Sequence, residues 1–329
     1  IVYNLNCLSN NDQFLNSSQK YILISCYLEE KPDNSLPELN PEEVTKNSIF
    51  FIESSCNHKK GINLSLRQGC AIESAANLNP NLNIFVLFVA PTFISNESEI
   101  INRFQMYSNI NLRYINFVKY SHNTPLQNFV TSNTISTSQW PVHHASDLLR
   151  LLTLWKFGGT YLDLDVVLMK SLEGLSNFVG IESNTLVASC VLNFDVDKIG
   201  RTVSNTSINE FASNYHANYW GYNGPGLITR TLKKICNTNL VPDMNKKKCK
   251  GFMVFGTEEF FPISWTDWRL YFNTNTSDEV MVKLKDSIGI HVWNFLSKDT
   301  AINIGSRQPY GLVAEKYCPI IFSMANSVF

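Results

Sequence analysis

The chain has 329 residues and a formal net charge of -1, from 27 basic and 28 acidic side chains. That balance lacks the basic excess with which nucleic-acid binders neutralise phosphates, so nucleic acid is excluded as a partner. Hydrophobic residues make up 44 %, enough to bury a full core, which excludes disorder over most of the length and suits one large α/β domain or two small ones.

Residues 1–47 read as a stem or N-terminal extension, because Pro32, Pro37 and Pro41 interrupt any regular element there. The chain opens on Ile1 rather than Met, and an N-terminal membrane anchor ahead of it is expected. The apolar run Ile49-Phe50-Phe51-Ile52 predicts a strand and opens a domain over residues 48–329. Cys56 to Gly61 reads as a loop. Arg67 to Leu78 has helical spacing, with Cys70, Ala71, Ser74 and Ala75 on one face, and Asn79-Pro80 ends it. Ile84 to Ala90 is too short to span a bilayer and reads as a buried strand. Strand, helix and strand at this spacing predict a parallel βαβ unit. Further on, Ser146 is placed to cap a helix whose first turn carries Asp147. Leu148, Leu149, Leu151, Leu152, Leu154 and Trp155 give that helix a broad buried surface, and Gly158-Gly159 close it. Tyr161 to Leu168 then predicts a strand carrying two carboxylates. The run Lys246-Lys247-Lys248 with Lys250 reads as a solvated loop.

Eight cysteines without a C-x-x-C pair argue against a zinc site and for disulfides. Short loops favour Cys56 with Cys70 and Cys236 with Cys249; Cys190 and Cys318 are expected to be structural. Five sequons begin at Asn16, Asn63, Asn96, Asn205 and Asn275. Together these features favour the secretory pathway.

The chemistry concentrates between His143 and Leu172. On an extended strand Asp163 and Asp165 leave the same face, where two carboxylates repel unless a cation lies between them. A hard divalent ion, Mn2+ or Mg2+, suits oxygen ligands and can also hold a diphosphate. Asp147 and Arg150, three apart on a helix, share a face and can fix sugar hydroxyls by charge-assisted hydrogen bonds.

The runs His144-Ala145-Ser146-Asp147-Leu148-Leu149-Arg150 and Trp155-Lys156-Phe157-Gly158-Gly159-Thr160-Tyr161-Leu162-Asp163-Leu164-Asp165 resemble the D-x-D glycosyltransferases of the α1,4-galactosyltransferase (globotriaosylceramide synthase) family and the insect α1,4-N-acetylgalactosaminyltransferases. The likeness runs in order from about residue 49 to 320, through the blocks at Arg67–Ala76, Trp220–Pro225, Phe261–Trp268 and His291–Asn294. Gly226 departs from the family pattern, which has a polar residue there. The resemblance implies a GT-A fold, a mainly parallel sheet flanked by helices. It implies a retaining α1,4-transfer of Gal or GalNAc from UDP-Gal or UDP-GalNAc to a glycolipid or glycan acceptor, dependent on Mn2+. It further implies a Golgi-lumenal, type II anchored protein.

Carried onto this chain, the resemblance gives Phe51, Ile52, Glu53 and Ser54 to the nucleoside. Asp147, Arg150, Tyr161 and Asp163 go to the donor, and Trp293 and Asn294 to its diphosphate. Asp163, Asp165 and His291 go to the metal. Asp163, Asp165 and Asp267 are the catalytic candidates, and Trp220, Asn223, Gly224, Trp265 and Trp268 the acceptor candidates. Two rivals compete. Leu162 to Val167 also fits the nucleophile loop of haloacid dehalogenase phosphatases, but that loop normally opens its domain. The other rival is a secreted carbohydrate or nucleotide-sugar binding protein of the same fold without turnover.

Overall fold

The computed structural model describes residues 24–95 and 98–329. Cys7 and the sequons at Asn16 and Asn96 lie outside the described residues. A central strand, β1 (Ile49–Glu53), is buried along its whole length. Its side chains alternate between two cores: Ile49 and Phe51 enter one, Phe50 and Ile52 the other, as a period of two requires. Helix α1 (Leu66–Leu78) covers the first face, with Cys70, Ala71 and Ala75 at the contact. Ser65 caps it reciprocally with Gln68, a capping box that fixes its start. It leads to β2 (Ile84–Phe88), and β1, β2 and β3 (Ile110–Tyr114) pair in parallel. The predicted βαβ unit is therefore present.

Helix α2 (Pro141–Phe157) covers the opposite face with Leu148, Leu149 and Leu152. It starts five residues before the expected cap at Ser146. Pro141 sits in the first turn, where a missing N–H costs nothing, and Ser138 Oγ accepts from Trp140 N at 2.8 Å just outside it. Ser146 is thus mid-helix. The helix stops at Gly158 (φ +72°) and Gly159 (φ +87°); a Cβ on Gly159 would lie 2.5 Å from the Ser48 carbonyl oxygen, so close approach as well as backbone sign demands glycine.

Strand β4 (Gly159–Leu162) pairs in parallel with β1. The expected continuous strand to Leu168 is broken. The chain turns over Leu164, with Val166 N donating to Asp163 O at 3.0 Å, and β5 (Val166–Leu168) pairs antiparallel with β9 (Gly289–His291) in a separate two-stranded sheet. In the main sheet β6 (Phe178–Ser183), β7 (Leu186–Phe194) and β8 (Met253–Phe255) complete the order β3-β2-β1-β4-β7-β6-β8. Only the two pairings made by β7 are antiparallel. The sheet is mainly parallel and clothed by helices on both faces, as parallel strands require. Helices α3 (Lys198–Ser213) and α4 (Pro225–Cys236) pack beside α2 and β7.

The disulfides are Cys26–Cys56, Cys70–Cys318 and Cys236–Cys249. The last matches expectation. The expected Cys56–Cys70 pair does not form, because Cys70 lies on the buried face of α1, where Cys318 meets it at the end of α5 (Pro309–Tyr317). Cys56 instead ties residues 24–47 to the body. Within that segment Tyr27, Leu36 and Leu39 are buried, and Leu39 and Pro37 exchange backbone hydrogen bonds with Tyr114. Asn63, Asn205 and Asn275 are exposed. Among the described residues no helix is long and apolar enough to cross a membrane.

Candidate active site

The site lies where β4 ends and the chain crosses from the large sheet to the small one. The turn over Leu164 separates the partners of the two aspartates rather than aligning them on one strand face. Asp163 Oδ1 stands 3.1 Å from Arg150 Nη1 and accepts from the Tyr161 hydroxyl at 2.5 Å. Asp165 Oδ2 accepts from the backbone N–H of Asn294 at 2.8 Å, and its Oδ1 lies 3.2 Å from His291 Nε2. The register of β5 on β9, which sets Val166 opposite His291, brings this pair together across more than a hundred residues of chain. Burial opposes the Asp165 charge, but His291 and the Asn294 N–H hold its carboxyl below the usual range. Burial would also lower the His291 pKa, yet Asp165 and Cys190 raise it well above the ordinary value.

Arg150 is anchored on four sides. It donates to Ser189 O at 2.8 Å and to Ser146 Oγ at 3.0 Å, its guanidinium lies 4.6 Å from the Tyr161 ring centre, and Asp147 Oδ1 is 3.4 Å from Nη2. Asp147 is buried. Burial pushes its carboxyl up to about 7, against Arg150 and with help from Asp163. A Cβ on Gly224 would sit 2.5 Å from Asp147 Oδ1. Gly224 therefore matters by being small: it lets the loop before α4 close over this carboxylate.

At the end of β1 the expected nucleoside segment divides. Phe51 and Ile52 are core residues with 0 % and 5 % exposure, so their side chains are committed to packing. Glu53 and Ser54 stand at the strand end. Glu53 accepts from Ser55 N and Gln68 Nε2, both at 2.8 Å, and faces His58. Ser54 O accepts from the Tyr27 hydroxyl at 2.6 Å.

Among the other candidates, Trp293 adopts the left-handed region (φ +55°) and donates its indole N–H to Ile263 O at 3.0 Å, edge-on to His291. Trp220 packs with Trp140, His143 and Phe295 in a partly open aromatic cluster next to Asn294. Phe295 and His143 were not singled out from the sequence; their aromatic character was visible, their convergence was not. Asn223 is buried and its amide is spent on the backbone of His216 and on the His144 ring, so it shapes the loop. Trp268 is buried against Phe272. Trp265 and Asp267 are exposed, Asp267 accepting from Ser264 Oγ at 2.8 Å.

Cys190, expected to be structural, is instead a buried free thiol at the site. It lies in β7 opposite the D-x-D turn, with Asp163 N donating to its carbonyl at 2.9 Å. Ligand atoms of Asp163, Cys190 and His291 lie within 4.8 Å of one another, and His291 Nδ1 is buried with no hydrogen-bond partner. A buried orphan nitrogen among acidic and sulfur donors is what a divalent cation would complete, so these residues fit one.

Residues 65–186 match the family model of the glycosyltransferase sugar-binding region containing DXD motif, and residues 196–325 that of the alpha 1,4-glycosyltransferase conserved region. Lactosylceramide 4-alpha-galactosyltransferase of Rattus norvegicus is 29 % identical over 282 residues, covering 85 % of this chain and 76 % of that protein. The Homo sapiens protein of the same name is 27 % identical over 283 residues, covering 84 % and 76 %. Human alpha-1,4-N-acetylglucosaminyltransferase is 24 % identical over 259 residues, covering 76 % and 73 %. Among solved structures, an active-site mutant of LgtC aligns with TM-score 0.42 at 14 % identity, over 84 % of this chain and 95 % of that one. PaToxG glycosyltransferase aligns with TM-score 0.42 at 19 % identity, over 63 % and 72 %. The chain thus carries a DXD-containing sugar-binding region followed by an alpha 1,4-glycosyltransferase conserved region, in sequence order around the D-x-D turn.

Proposed function

We propose that this glycosyltransferase moves Gal or GalNAc from UDP-Gal or UDP-GalNAc onto a glycolipid acceptor, forming an α1,4 linkage with retention, and that it works with Mn2+. The observation that carries the reading is the joined cluster of Asp147, Arg150, Tyr161, Asp163, Asp165 and His291 at one strand end. The names of the relatives support the glycolipid acceptor. Asp163 and Asp165, with His291 beside them, would hold the cation. When bound it supplies charge neutralisation at the departing diphosphate.

The protein's own residues do the rest. Arg150, fixed by Ser146, Ser189 and the Tyr161 ring, presents a preorganised charge to the donor sugar. Asp147, close to neutral-pH protonation, can accept from a sugar hydroxyl and, when protonated, donate to one. Glu53 and Ser54 receive the uridine at the end of β1, and the Asn294 and Trp293 segment lines the diphosphate. Trp220 and Phe295 offer an apolar wall to the C–H face of the acceptor sugar, with Trp265 and Asp267 on the exposed loop after Phe261. Asp147 and Asp163 each already face the Arg150 guanidinium and Asp165 the His291 ring, which supports front-face displacement over a carboxylate nucleophile. Residues 48–329 form the catalytic domain, carried in the Golgi lumen on an N-terminal anchor.

The test is a panel of UDP-sugars against lactosylceramide and other glycolipids with Mn2+, with product linkage read by NMR. The reading expects an α1,4-linked Gal or GalNAc product. Tight UDP-sugar binding with no transfer to any acceptor would sink it in favour of a binding protein of this fold.

A further inference from the structure

We infer that Cys190 is itself a ligand of the cation site, whose sulfur joins Asp163 and His291 in a mixed sulfur, nitrogen and oxygen pocket. The inference rests on the cation reading above and adds a donor that the D-x-D pattern does not contain.

The placement follows from topology. β7 runs antiparallel to β4 with Val191 opposite Leu162, so the next pair along, Asp163 and Cys190, meets where β4 ends; the 2.9 Å hydrogen bond from Asp163 N to Cys190 O fixes it. The ligand atoms of Asp163, Cys190 and His291 then converge within 4.8 Å. The other cysteines among the described residues are spent in disulfides, which leaves Cys190 as the free thiol there, 7 % exposed. Asp165, the second carboxylate of the cation site, also faces Nε2 of His291 at 3.2 Å and so helps to orient the imidazole. Nδ1 remains buried and unpartnered. A thiol, an open imidazole nitrogen and a carboxylate so gathered make a poor site for Mg2+, which demands oxygen ligands in near-ideal octahedral array. They suit Zn2+, Co2+ and Cd2+ and tolerate Mn2+. On coordination the Cys190 thiol gives its proton to solvent and binds as thiolate. The site should therefore rank thiophilic ions above magnesium.

The experiment uses the whole chain, stripped with EDTA and titrated with Co2+. The native protein should show visible ligand-field bands and, with them, a near-ultraviolet sulfur-to-cobalt charge-transfer band. Cys190→Ser and Cys190→Ala, checked for an unchanged unfolding midpoint, should keep the visible bands, lose the charge-transfer band, and bind Cd2+ at least about tenfold more weakly. Should both variants fail to fold, the same titration of Cys7→Ser decides: the charge-transfer band should persist, and its loss would overturn the assignment of Cys190. Visible bands without a charge-transfer band in the native protein overturn the assignment of Cys190 and leave the carboxylate–histidine site standing. Failure of Co2+ to bind at all overturns the cation reading and this inference with it.

Discussion

Asp147 carries a carboxyl whose burial raises its pKa to about 7, despite the Arg150 guanidinium 3.4 Å away. The sign of the consequence is fixed by linkage. The native state holds a proton that the unfolded chain, with an ordinary carboxyl, releases near pH 4. The native state is therefore favoured at low pH and loses that advantage as the pH rises toward 7. In metal-free protein, Asp147→Asn should gain on the native chain by about 2 kcal/mol in unfolding free energy between pH 5 and pH 8. Urea denaturation of both proteins at the two pH values reads this directly; a gap that stays constant contradicts a buried, neutralised carboxyl. At this scale the sequence was informative where spacing carries chemistry. Asp147 with Arg150, and Asp163 with Asp165, are local patterns, and their convergence with His291 was legible through the family resemblance. Cys190 was not, because only the antiparallel pairing of β7 on β4 brings it to Asp163. Phe51 and Asn223 show what a recognised block leaves unsaid: the Phe51 side chain is packed in the core, and the Asn223 amide bonds to the backbone of His216 within its own loop.

The elements act through close approaches that side chains would prevent. The loop ending at Gly224 opens α4 directly against Asp147, and an added methyl there would press on a carboxylate oxygen. Gly224→Ala should cost about 1–3 kcal/mol of stability, the usual penalty of overpacking, and lower kcat/KM for the donor about tenfold or more by shifting Asp147. Denaturant unfolding and steady-state kinetics check the two halves; normal kinetics with normal stability would show that the loop does not need glycine. The strand, helix and strand of β1, α1 and β2 were readable because each has an unbroken periodic pattern and a local stop signal. The start of α2 was misread, since Ser146-Asp147 looks like a cap while Pro141 is the actual first turn. The break between β4 and β5 was hidden because an apolar run through a D-x-D turn has the same alternation as one strand.

Across the whole molecule, Cys70–Cys318 joins positions 248 residues apart and closes the C-terminal helices onto α1. A loop of that length removes much unfolded-chain entropy, and Cys70→Ala with Cys318→Ala should lower stability by about 2–5 kcal/mol. Calorimetry of the double variant tests this; an unchanged melting temperature would show that packing alone holds α5 in place. The pairing was illegible in sequence because loop length favoured Cys56, and only the buried face of α1 selects Cys318. The mainly parallel half of the sheet was legible, whereas the antiparallel placement of β7 was not, since it pairs both with its hairpin neighbour β6 and with the more distant β4. The central claim, that Asp163 and Asp165 hold a divalent cation needed for UDP to depart, concerns how these parts act together. Its most direct measurement is transfer of labelled galactose or N-acetylgalactosamine to lactosylceramide by EDTA-stripped protein, with and without added Mn2+, beside Asp165→Asn. Transfer should be absent without the ion, return when it is added, and stay at least about a hundredfold lower in the variant. Full transfer in EDTA, or by Asp165→Asn, would contradict the account.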